Sequence, residues 1–368
     1  MTPDRDQKPA IRLIVDRESR RGFDPETRIL GVSVSQRTVK AAHLAGIETV
    51  YVLASSTVSG LQDDKSATIL MPGDVLPEKE WLIEAAGLDV ADGEQVDLGT
   101  GVRIIELGRD VEAVSAVARR VTLSAGPILP LRSSADVPAA EDRLMSRLGK
   151  KTDGFMSRHV ARPISMWVSR RVAPWPVTPN HMTLVSMMLG LVSAPFFLSS
   201  VWWIQSIGGL LFVVHSVLDG CDGELARLKF AESRLGGLLD FWSDNIVHFA
   251  VFGCMGIGWV LAVGHWWPLW VGMVAVAGAG GSAWAVYWVT LRRKEGDGPL
   301  YTSVSGGPGS RASRILDSLS RRDFIYLVLA LALFGKAHWF LALTAIGAPF
   351  FLVVLLVVLR RDKSGVAG

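Results

Sequence analysis

The sequence predicts two parts of different fold class, a soluble α/β domain followed by an all-α polytopic membrane domain of six transmembrane helices. Charged and polar residues dominate before about residue 175, whereas long apolar runs dominate after it. The mean hydropathy of +0.33 and the 13 tryptophans are also high for a soluble protein. We therefore expect an α/β domain over 1–135, a linker with an interfacial helix over 136–178, and the membrane domain over 179–368.

The overall composition excludes several classes of site and partner. A net charge of +3 over 368 residues is too small to indicate nucleic-acid binding. Cys221 and Cys254 lie in the apolar part without metal-binding spacing, so we expect neither a zinc site nor a disulfide framework. The first residues contain no apolar run as long as a signal peptide requires, and we expect this end of the chain to stay in the cytoplasm.

Short strand-like runs alternate with helical stretches between residues 11 and 135. The strand-like runs are RLIV (12–15), ETVYVLA (48–54), ATILMPGD (67–74) and VRIIEL (102–107). Helical spacing is found in SQRTVKAAHLAGI (35–47) and DVEAVSAVARRV (110–121). This alternation predicts a parallel sheet with flanking helices.

One stretch of this domain resembles a known enzyme core. The run QRTVKAAHLAGIETVYVLAS, with ILMPGDVLP after it, is similar to the core of sugar-nucleotide-type nucleotidyltransferases. The resemblance implies a nucleotidyltransferase-like, Rossmann-type fold with Asp74 as the acid at a strand end. The Gly-rich nucleotide loop is missing, because LIVDRESRRGFD stands near the start. We therefore expect a degenerate scaffold domain rather than an active nucleotidyltransferase.

The segment before the membrane domain predicts a linker and then a helix at the membrane surface. Residues 127–142 are rich in Pro, Ser and Ala, which is typical of a linker. Apolar residues from Met156 to Val168 then recur at helical spacing, among arginines from Arg158 to Arg171. A basic amphipathic helix of this kind lies in the interface, and Pro163 should kink it. A solvated charged helix is the alternative.

Six apolar segments follow, and the charges between them predict their orientation. The segments lie at roughly 180–200, 202–221, 235–263, 267–291, 322–336 and 338–359. Basic residues cluster in the loops on one side, whereas the opposite loops carry only Lys336. By the positive-inside rule, both termini are expected in the cytoplasm. The clustered basic residues are Arg170, Arg171, Arg227, Lys229, Arg234, Arg292, Arg293, Lys294, Arg321, Arg322, Arg360, Arg361 and Lys363.

Four aspartates stand at the cytoplasmic end of the second and third segments. Asp219 and Asp222 are spaced i, i+3, and Asp240 and Asp244 are spaced i, i+4, so each pair projects from one face of a helix. Two such helices facing each other would form a cage of four carboxylates. Carboxylate oxygens suit Mg²⁺, Mn²⁺ or Ca²⁺, and a pair of metal ions is a common arrangement for holding a pyrophosphate and activating a hydroxyl.

The full spacing around these aspartates is more specific than an acidic cluster. The chain reads D-x2-D-G-x2-A-R-x8-G-x3-D-x3-D from Asp219 to Asp244, with eight specified positions in 26 residues. This pattern resembles the signature of the CDP-alcohol phosphotransferase family. The resemblance implies an integral-membrane enzyme that transfers a substituted phosphate from a CDP-linked donor to an alcohol and releases CMP, using Mg²⁺ or Mn²⁺.

The resemblance also implies a role for each position of the signature. It makes Asp219, Asp222 and Asp240 metal ligands, and it makes Asp244 the general base that can also touch a metal ion. Among the remaining positions, Gly223 would let the nucleotide approach the backbone closely, and Arg227 would pair with its phosphate. Gly236 would allow the two metal-bearing helices to pack closely. The full expected nucleotide-binding set is Gly223, Ala226, Arg227, Gly236, Asn180 and Thr183.

Other residues near the signature leave more than one interpretation open. His215 and His248 lie one turn from Asp219 and Asp244, and each is either a support for an aspartate or a structural histidine. Arginines in the loop after the fourth segment are candidates for binding the phosphate of an acceptor such as inositol phosphate, or they serve membrane topology. These arginines are Arg292, Arg293, Arg311 and Arg314.

A looser resemblance covers more of the chain. The segment KKTDGFMSRHVARPIS, with the α/β domain before it, is similar to the junction in bifunctional inositol-phosphate cytidylyltransferase and di-myo-inositol-phosphate-phosphate synthase proteins.

Two other functions stay open at this point, namely an aspartate-rich membrane prenyltransferase and a cation transporter that uses the carboxylates as its pathway. The run GAGGSAW (278–284) can pack against a second copy in a homodimer or against helices of its own chain.

Overall fold

The computed structural model describes residues 11–16, 22–53, 67–90, 95–106, 118–126, 128–149, 155–288 and 324–364. By its contacts, the chain divides into two compact units, Met1–Arg147 and Leu148–Gly368. The first unit is the α/β part and the second is the helical, apolar part. The bounds of the secondary-structure elements follow for each unit separately.

The first unit contains ten described strands and three described helices. The strands are β1 (Arg12–Asp16), β2 (Arg28–Ile29), β3 (Val32–Ser33), β4 (Thr49–Leu53), β5 (Ala67–Pro72), β6 (Val75–Leu76), β7 (Gln95–Asp97), β8 (Arg103–Glu106), β9 (Ala118–Arg120) and β10 (Leu129–Pro130). The helices are α1 (Val34–Leu44), α2 (Lys79–Ala86) and α3 (Val137–Ser146). All four strand-like runs of the sequence are strands, with ends shifted by one or two residues.

A six-stranded sheet in the order β4-β1-β5-β8-β7-β9 organises this unit. β1 lies parallel to both β4 and β5, with Ile14 opposite Tyr51 and Leu70. β8, however, runs antiparallel to β5 and to β7. The expectation of a wholly parallel sheet is therefore wrong for β8, whereas β7 and β9 again pair in parallel. The cause is visible in the chain, because the turn at Gly99 to Gly101 leads β7 directly back into β8 as a hairpin.

Two further expectations for this unit change with the structure. Helical spacing over 110–121 predicts a helix, but its described end, Ala118–Arg120, is strand β9. Most of that stretch lies outside the described residues. Helix α3, which falls in the expected linker, is part of the first unit, and there Arg143 Nε donates to Glu78 Oε1 at 2.8 Å.

Asp74 lies in the turn between β5 and β6, where the sequence analysis expected a strand-end acid. Its side chain is fully buried, and its backbone oxygen accepts a hydrogen bond from Leu131 N of 2.7 Å. Gly73 passes so close to β1 that an added Cβ would lie 2.5 Å from Asp16 O. The turn is thus packed tightly against the end of β1. The Rossmann-type assignment stays a prediction.

The second unit is built of helices. Its described α-helices are α4 (Arg162–Val172), α5 (Pro179–Ser193), α6 (Trp202–Lys229), α7 (Arg234–Val263), α8 (Trp267–Val286), α9 (Phe324–Ala332) and α10 (Ala337–Ser364). A π-helical turn, Ser157–Ala161, precedes α4, and a 3₁₀ turn, Ala194–Leu198, extends α5.

Five stretches in the described part of the chain have the length and apolar composition needed to cross a membrane. They are Pro179–Leu198, Trp202–Lys229, Arg234–Val263, Trp267–Val286 and Ala337–Val357. The remaining expected crossing, 322–336, begins outside the described residues and continues as the nine-residue helix α9. A sixth crossing is therefore still a prediction. α9 packs on α6, since a Cβ on Gly209 would lie 3.1 Å from Leu329 and 3.2 Å from Ala332.

Helix α4 carries its polar and apolar faces in the reverse of the order usual in a soluble protein. Ser165 and Ser169 point inward and are 2% and 0% exposed, while Ile164 and Trp167 point outward and are 47% and 61% exposed. The Arg171 guanidinium lies over the Trp167 ring, 5.3 Å from its centroid. Outward apolar side chains among arginines are the arrangement that an interfacial helix needs.

Glycines allow the long helices to approach one another closely. An added Cβ on Gly190 of α5 would lie 2.5 Å from Val247 of α7 and 3.0 Å from the His215 ring of α6. Within the 278–284 run, an added Cβ on Gly278 would lie 2.8 Å from Pro349 of α10, and one on Gly281 would lie 2.8 Å from Leu352 of α10. Both glycines therefore serve packing within the chain.

We expect Gly258→Ala to lower the melting temperature of the detergent-solubilised protein. A Cβ there would lie 2.2 Å from Phe197 O, so α7 would have to move away from the 3₁₀ turn. Overpacking of this kind costs about 1–3 kcal/mol. The matched control is Gly253→Ala on the same helix, where nothing lies within 4 Å of an added Cβ. Equal melting temperatures for the two variants would contradict the packing described here.

Candidate active site

The aspartates are brought together by a tight connection between α6 and α7. Helix α6 ends at Phe230, whose φ of 54° is in the left-handed region, and the Phe230 N–H lies 3.4 Å from Arg227 O. Helix α7 starts three residues later, where Ser233 Oγ accepts a hydrogen bond from Gly236 N. A connection this short makes α6 and α7 antiparallel neighbours. The end of one helix and the start of the next, which carry the aspartates, therefore lie side by side.

Three of the four aspartates form one group of carboxylates. Asp219, Asp222 and Asp240 each offer a carboxylate oxygen, and these oxygens all lie within 4.8 Å of one another. Asp219 and Asp222 are 2% and 6% exposed, and Asp240 is half-buried. Oxygens at this separation can ligate a common Mg²⁺ or Mn²⁺, which binds oxygen at about 2.0–2.2 Å. The chemistry of this donor set fits a divalent cation.

Asp222 is held in place from two directions. Its Oδ2 accepts a hydrogen bond of 2.5 Å from Thr183 Oγ1 of α5, and its Oδ1 accepts one of 2.5 Å from Gly223 N. Thr183 is 1% exposed, so its hydroxyl is directed into the unit. The sequence analysis assigns Thr183 to nucleotide binding. In the structure its hydroxyl donates to Asp222, one of the aspartates expected to bind the metal.

Asp244 stands apart from this group and faces a histidine. Its Oδ1 lies 3.6 Å from His215 Nε2, and its side chain is 19% exposed. His215 Nδ1 lies 2.8 Å from Ser186 O of α5, and only the doubly protonated ring can donate toward both Ser186 O and Asp244. Of the two histidines left open by the sequence, His215 is the one that lies beside an aspartate in the structure. His248 packs among aromatic rings, with centroids 5.7 Å from Phe212 and 5.5 Å from Phe324.

The start of α5 reaches the start of α7. Thr178 caps α5 by accepting from His181 N, and Asn180 follows in the first turn. A Cβ on Gly236 would lie 3.2 Å from Asn180 Oδ1 and 3.0 Å from Ser233 Oγ, with no atom of α6 within 4 Å. The close approach at Gly236 is thus to Asn180, and not between the two aspartate-bearing helices as expected.

The other signature positions lie on the last two turns of α6. Arg227 covers Gly223, since its Nη1 would lie 3.4 Å from a Cβ there. Ala226 O accepts from Ala231 N at 2.8 Å in the turn after α6. The four arginines proposed for the acceptor phosphate, Arg292, Arg293, Arg311 and Arg314, lie outside the described residues.

Two residues of this region have contacts that the sequence did not predict; Glu224 was not singled out, and Lys229 was named only for membrane topology. Glu224 of α6 is fully buried and bonds Arg162, Ser165 and Ser169 of α4. Lys229 Nζ donates to Trp175 O at 2.7 Å and to Val177 O at 2.8 Å, and so holds the loop that leads into α5. A charged residue inside an apolar helix of membrane-crossing length is itself a signal that the residue has a specific partner or function. This signal was present in the sequence.

Comparison with known proteins agrees with this geometry. Residues 176–305 match the CDP-alcohol phosphatidyltransferase family, and this range includes α5 to α7 with all four aspartates. The matched range lies within the second unit. With its five apolar helices of membrane-crossing length, the protein is an integral membrane protein.

Two kinds of named relative match parts of the chain. The chain is 45% identical over 95 residues to the bifunctional IPC transferase and DIPP synthase of Thermococcus kodakarensis, which is 26% of this chain and 21% of that protein. It is 27% identical over 92 residues to the archaetidylinositol phosphate synthase of Pyrococcus horikoshii, which is 25% of this chain and 47% of that protein. The chain thus spans about a fifth of the length of the bifunctional relative.

One solved structure is a distant match. It is the phosphatidylinositol phosphate synthase of Mycobacterium tuberculosis with CDP-DAG bound, at 18% identity and a TM-score of 0.38, covering 53% of this chain and 92% of that chain. A likeness of this degree carries no argument about residues or substrates here.

We expect Thr183→Val to raise the concentration of Mn²⁺ needed for half-maximal activity by about 10-fold, the lower end of the cost of removing a group that orients a metal ligand. Valine keeps the shape of threonine but removes the hydroxyl that holds Asp222 Oδ2. The control is Ser186→Ala, which removes another buried hydroxyl of α5 that bonds only a backbone oxygen, Thr183 O. An unchanged Mn²⁺ dependence in Thr183→Val would mean that this hydrogen bond does not orient the carboxylate.

Proposed function

We propose that the protein transfers a substituted phosphate from a CDP-linked donor to an alcohol acceptor and releases CMP. The observation that carries the proposal is the grouping of Asp219, Asp222 and Asp240 beside a separate, half-buried Asp244. Three carboxylates together suit metal binding, and a fourth one nearby is available for proton transfer. The family domain over these residues supports the same reaction.

Asp219, Asp222 and Asp240 would hold Mg²⁺ or Mn²⁺ in a pair of sites, and Asp244 would also be able to touch a metal ion. When bound, the divalent ions supply positive charge for the pyrophosphate and for the leaving CMP. Thr183 and Gly223 N keep the Asp222 oxygens oriented for this purpose. Asp219 is almost completely buried, so it depends on a cation more than an exposed carboxylate would.

Asp244 is the group that we propose as general base. In the reaction, the acceptor hydroxyl forms a bond to the β-phosphorus, the bond from that phosphorus to the CMP oxygen breaks, and the hydroxyl proton passes to Asp244. His215 keeps the Asp244 carboxylate turned toward α6, and Ser186 O in turn fixes the His215 ring. Proton transfer by a positioned carboxylate contributes about 10²–10⁴-fold in rate.

We propose that the CMP part binds over the last turns of α6 and the first turn of α5. Gly223 offers backbone without a side chain, Arg227 beside it pairs with phosphate, and Asn180 reaches across to Gly236. Ala226 and Thr183 complete the nucleotide-facing set, Thr183 also holding Asp222. The first turn of α5 begins at a capped N-terminus, which favours negative charge.

For the acceptor we propose a polyol phosphate such as inositol phosphate. The names of two relatives, an IPC transferase and an archaetidylinositol phosphate synthase, support an inositol-type acceptor. Arg292, Arg293, Arg311 and Arg314 would bind its phosphate. The donor is either CDP-diacylglycerol or a soluble CDP-polyol, and the experiment below distinguishes them.

The membrane arrangement that we propose has six crossings and places both termini in the cytoplasm. With α9 as a crossing, the basic residues after α6, after α8 and at the end of α10 all fall on one side. With only five crossings, Arg360 and Arg361 would lie on the opposite side from Arg227. We further propose that the protein works as a homodimer and that the first unit is a Rossmann-type, nucleotidyltransferase-like scaffold.

The test is CMP release by the purified full chain with Mg²⁺ or Mn²⁺. Donors are CDP-diacylglycerol and soluble CDP-polyols, and acceptors are alcohols, inositol phosphate and glycerol phosphate. A donor and acceptor pair that gives CMP, lost on chelation with EDTA, supports the proposal and names the substrates. Release of pyrophosphate from prenyl diphosphates, or cation flux into proteoliposomes without CMP from any pair, would replace it with one of the two other functions.

A further inference from the structure

Glu224 is a buried carboxylate with an unusually complete set of partners. It is 0% exposed, and its Oε1 accepts from Arg162 Nη1 at 2.8 Å and from Ser165 Oγ at 2.7 Å. Its Oε2 accepts from Ser169 Oγ at 2.7 Å. All three donors lie on α4, so one acidic side chain of α6 accepts hydrogen bonds from three polar side chains of the interfacial helix. The reaction proposed above does not use Glu224.

Arg162 brings a positive charge to the back of the aspartate motif. A Cβ on Gly220 would lie 3.9 Å from Arg162 Nη1 and 3.7 Å from Ser165. Gly220 directly follows Asp219, and Glu224 comes two residues after Asp222. The Arg162 side chain is 12% exposed, so water screens its charge little. Without its pairing to Glu224, a guanidinium at this place would compete with a divalent cation for the neighbouring carboxylates.

We propose that Glu224 is a positioning residue. It pairs with the Arg162 guanidinium and keeps it beside α4, so that Asp219 and Asp222 stay available for metal binding. The inference rests on the proposed function, because it concerns the same metal site. The two serines fix the Glu224 carboxylate so that it faces Arg162, and the pair adds no net charge beside the site. The interfacial helix is thus joined to the aspartate helix without weakening metal binding.

A simple tether between α4 and α6 is the alternative, and the two make opposite predictions for a double variant. Glu224→Gln keeps the shape and can keep hydrogen bonds to the serines, but it leaves the Arg162 charge without its compensating carboxylate. Arg162→Met then removes that charge. If charge is what matters, the double variant recovers. If only the tether matters, the second substitution removes another contact and the double variant is no better than Glu224→Gln.

The experiment is Mn²⁺ binding to the purified full chain without substrates, measured by the electron paramagnetic resonance signal of free Mn²⁺. We expect Glu224→Gln to weaken binding about tenfold, because it leaves one nearby positive charge uncompensated. The double variant Glu224→Gln with Arg162→Met should return to within about twofold of the natural protein. Arg162→Met alone should bind Mn²⁺ no more weakly than the natural protein.

A second readout separates metal affinity from the chemical step. In CMP release, Glu224→Gln should need more Mn²⁺ for half-maximal rate, while kcat at saturating Mn²⁺ stays close to that of the natural protein. The matched control is Gln205→Leu, which removes an equally buried, hydrogen-bonded side chain from the opposite end of α6, where it bonds Ser199 O and Ala337 N. This control should leave Mn²⁺ binding unchanged.

The outcomes distinguish this inference from the proposed function. If the natural protein binds no Mn²⁺, the metal site and the proposed function both fail. If it binds Mn²⁺ and Glu224→Gln binds equally well, or if the double variant does not recover, the role of Glu224 is overturned while the function stands. Weak binding in Glu224→Gln that the double variant restores supports the inference.

Discussion

Asp222→Asn is expected to abolish metal-dependent CMP release. Asp222 belongs to the group of three carboxylates, and both of its oxygens are also held, by Thr183 and by Gly223 N. An asparagine has one accepting oxygen, so it satisfies one of these two donors and presents an NH₂ group to the other. The substitution therefore removes a charge from the metal site and disturbs the side-chain orientation at the same time.

The measurement is Mn²⁺ binding followed by CMP release across a range of Mn²⁺ concentrations. We expect affinity to fall by at least about 100-fold, because changing a residue that merely supports a metal ligand already costs about 10–100-fold. Asp219→Asn and Asp240→Asn should behave in the same way. Retention of natural Mn²⁺ affinity in all three variants would remove these aspartates from the metal site.

Asp244→Asn is expected to lower kcat by about 10²–10⁴-fold, the usual contribution of a positioned proton acceptor. Asp244 lies outside the group of three and faces His215, so its amide variant should still bind Mn²⁺. The amide cannot accept the hydroxyl proton, which is why the chemical step should suffer and the metal should remain.

The two asparagine variants serve as controls for each other. They make the same chemical change on the two neighbouring helices of the motif, once in the carboxylate group on α6 and once beside it on α7. We expect lost Mn²⁺ binding in Asp222→Asn and retained Mn²⁺ binding with lost turnover in Asp244→Asn. Equal loss of Mn²⁺ binding in both would make Asp244 a metal ligand first, and full turnover in Asp244→Asn would require another base.

The different roles proposed for the four aspartates follow only in part from their spacing. Periodicity places Asp219 with Asp222 and Asp240 with Asp244 on helix faces, and the apolar segments around them predict the two helices. It does not tell how the two faces are rotated against each other. That rotation is what draws Asp240 into the group and leaves Asp244 toward His215.

In the first unit, local pattern and long-range pairing also differ in what they reveal. The strands β1, β4, β5 and β8 are recognisable because alternation and β-branched residues are local properties. The direction of β8 is not, since it depends on the hairpin from β7 and on pairing with β5. Strand direction is a property of partners that are distant along the chain.

By itself, the sequence determined the two-part organisation, the apolar helices and the motif that carries the aspartates, because hydropathy, period and spacing are written along the chain. Only the tertiary structure decided that Thr183 orients Asp222, that His215 faces Asp244, that Gly236 meets Asn180, and that Glu224 binds α4. These contacts join residues from different helices, and side-chain packing rather than local preference sets which of them meet.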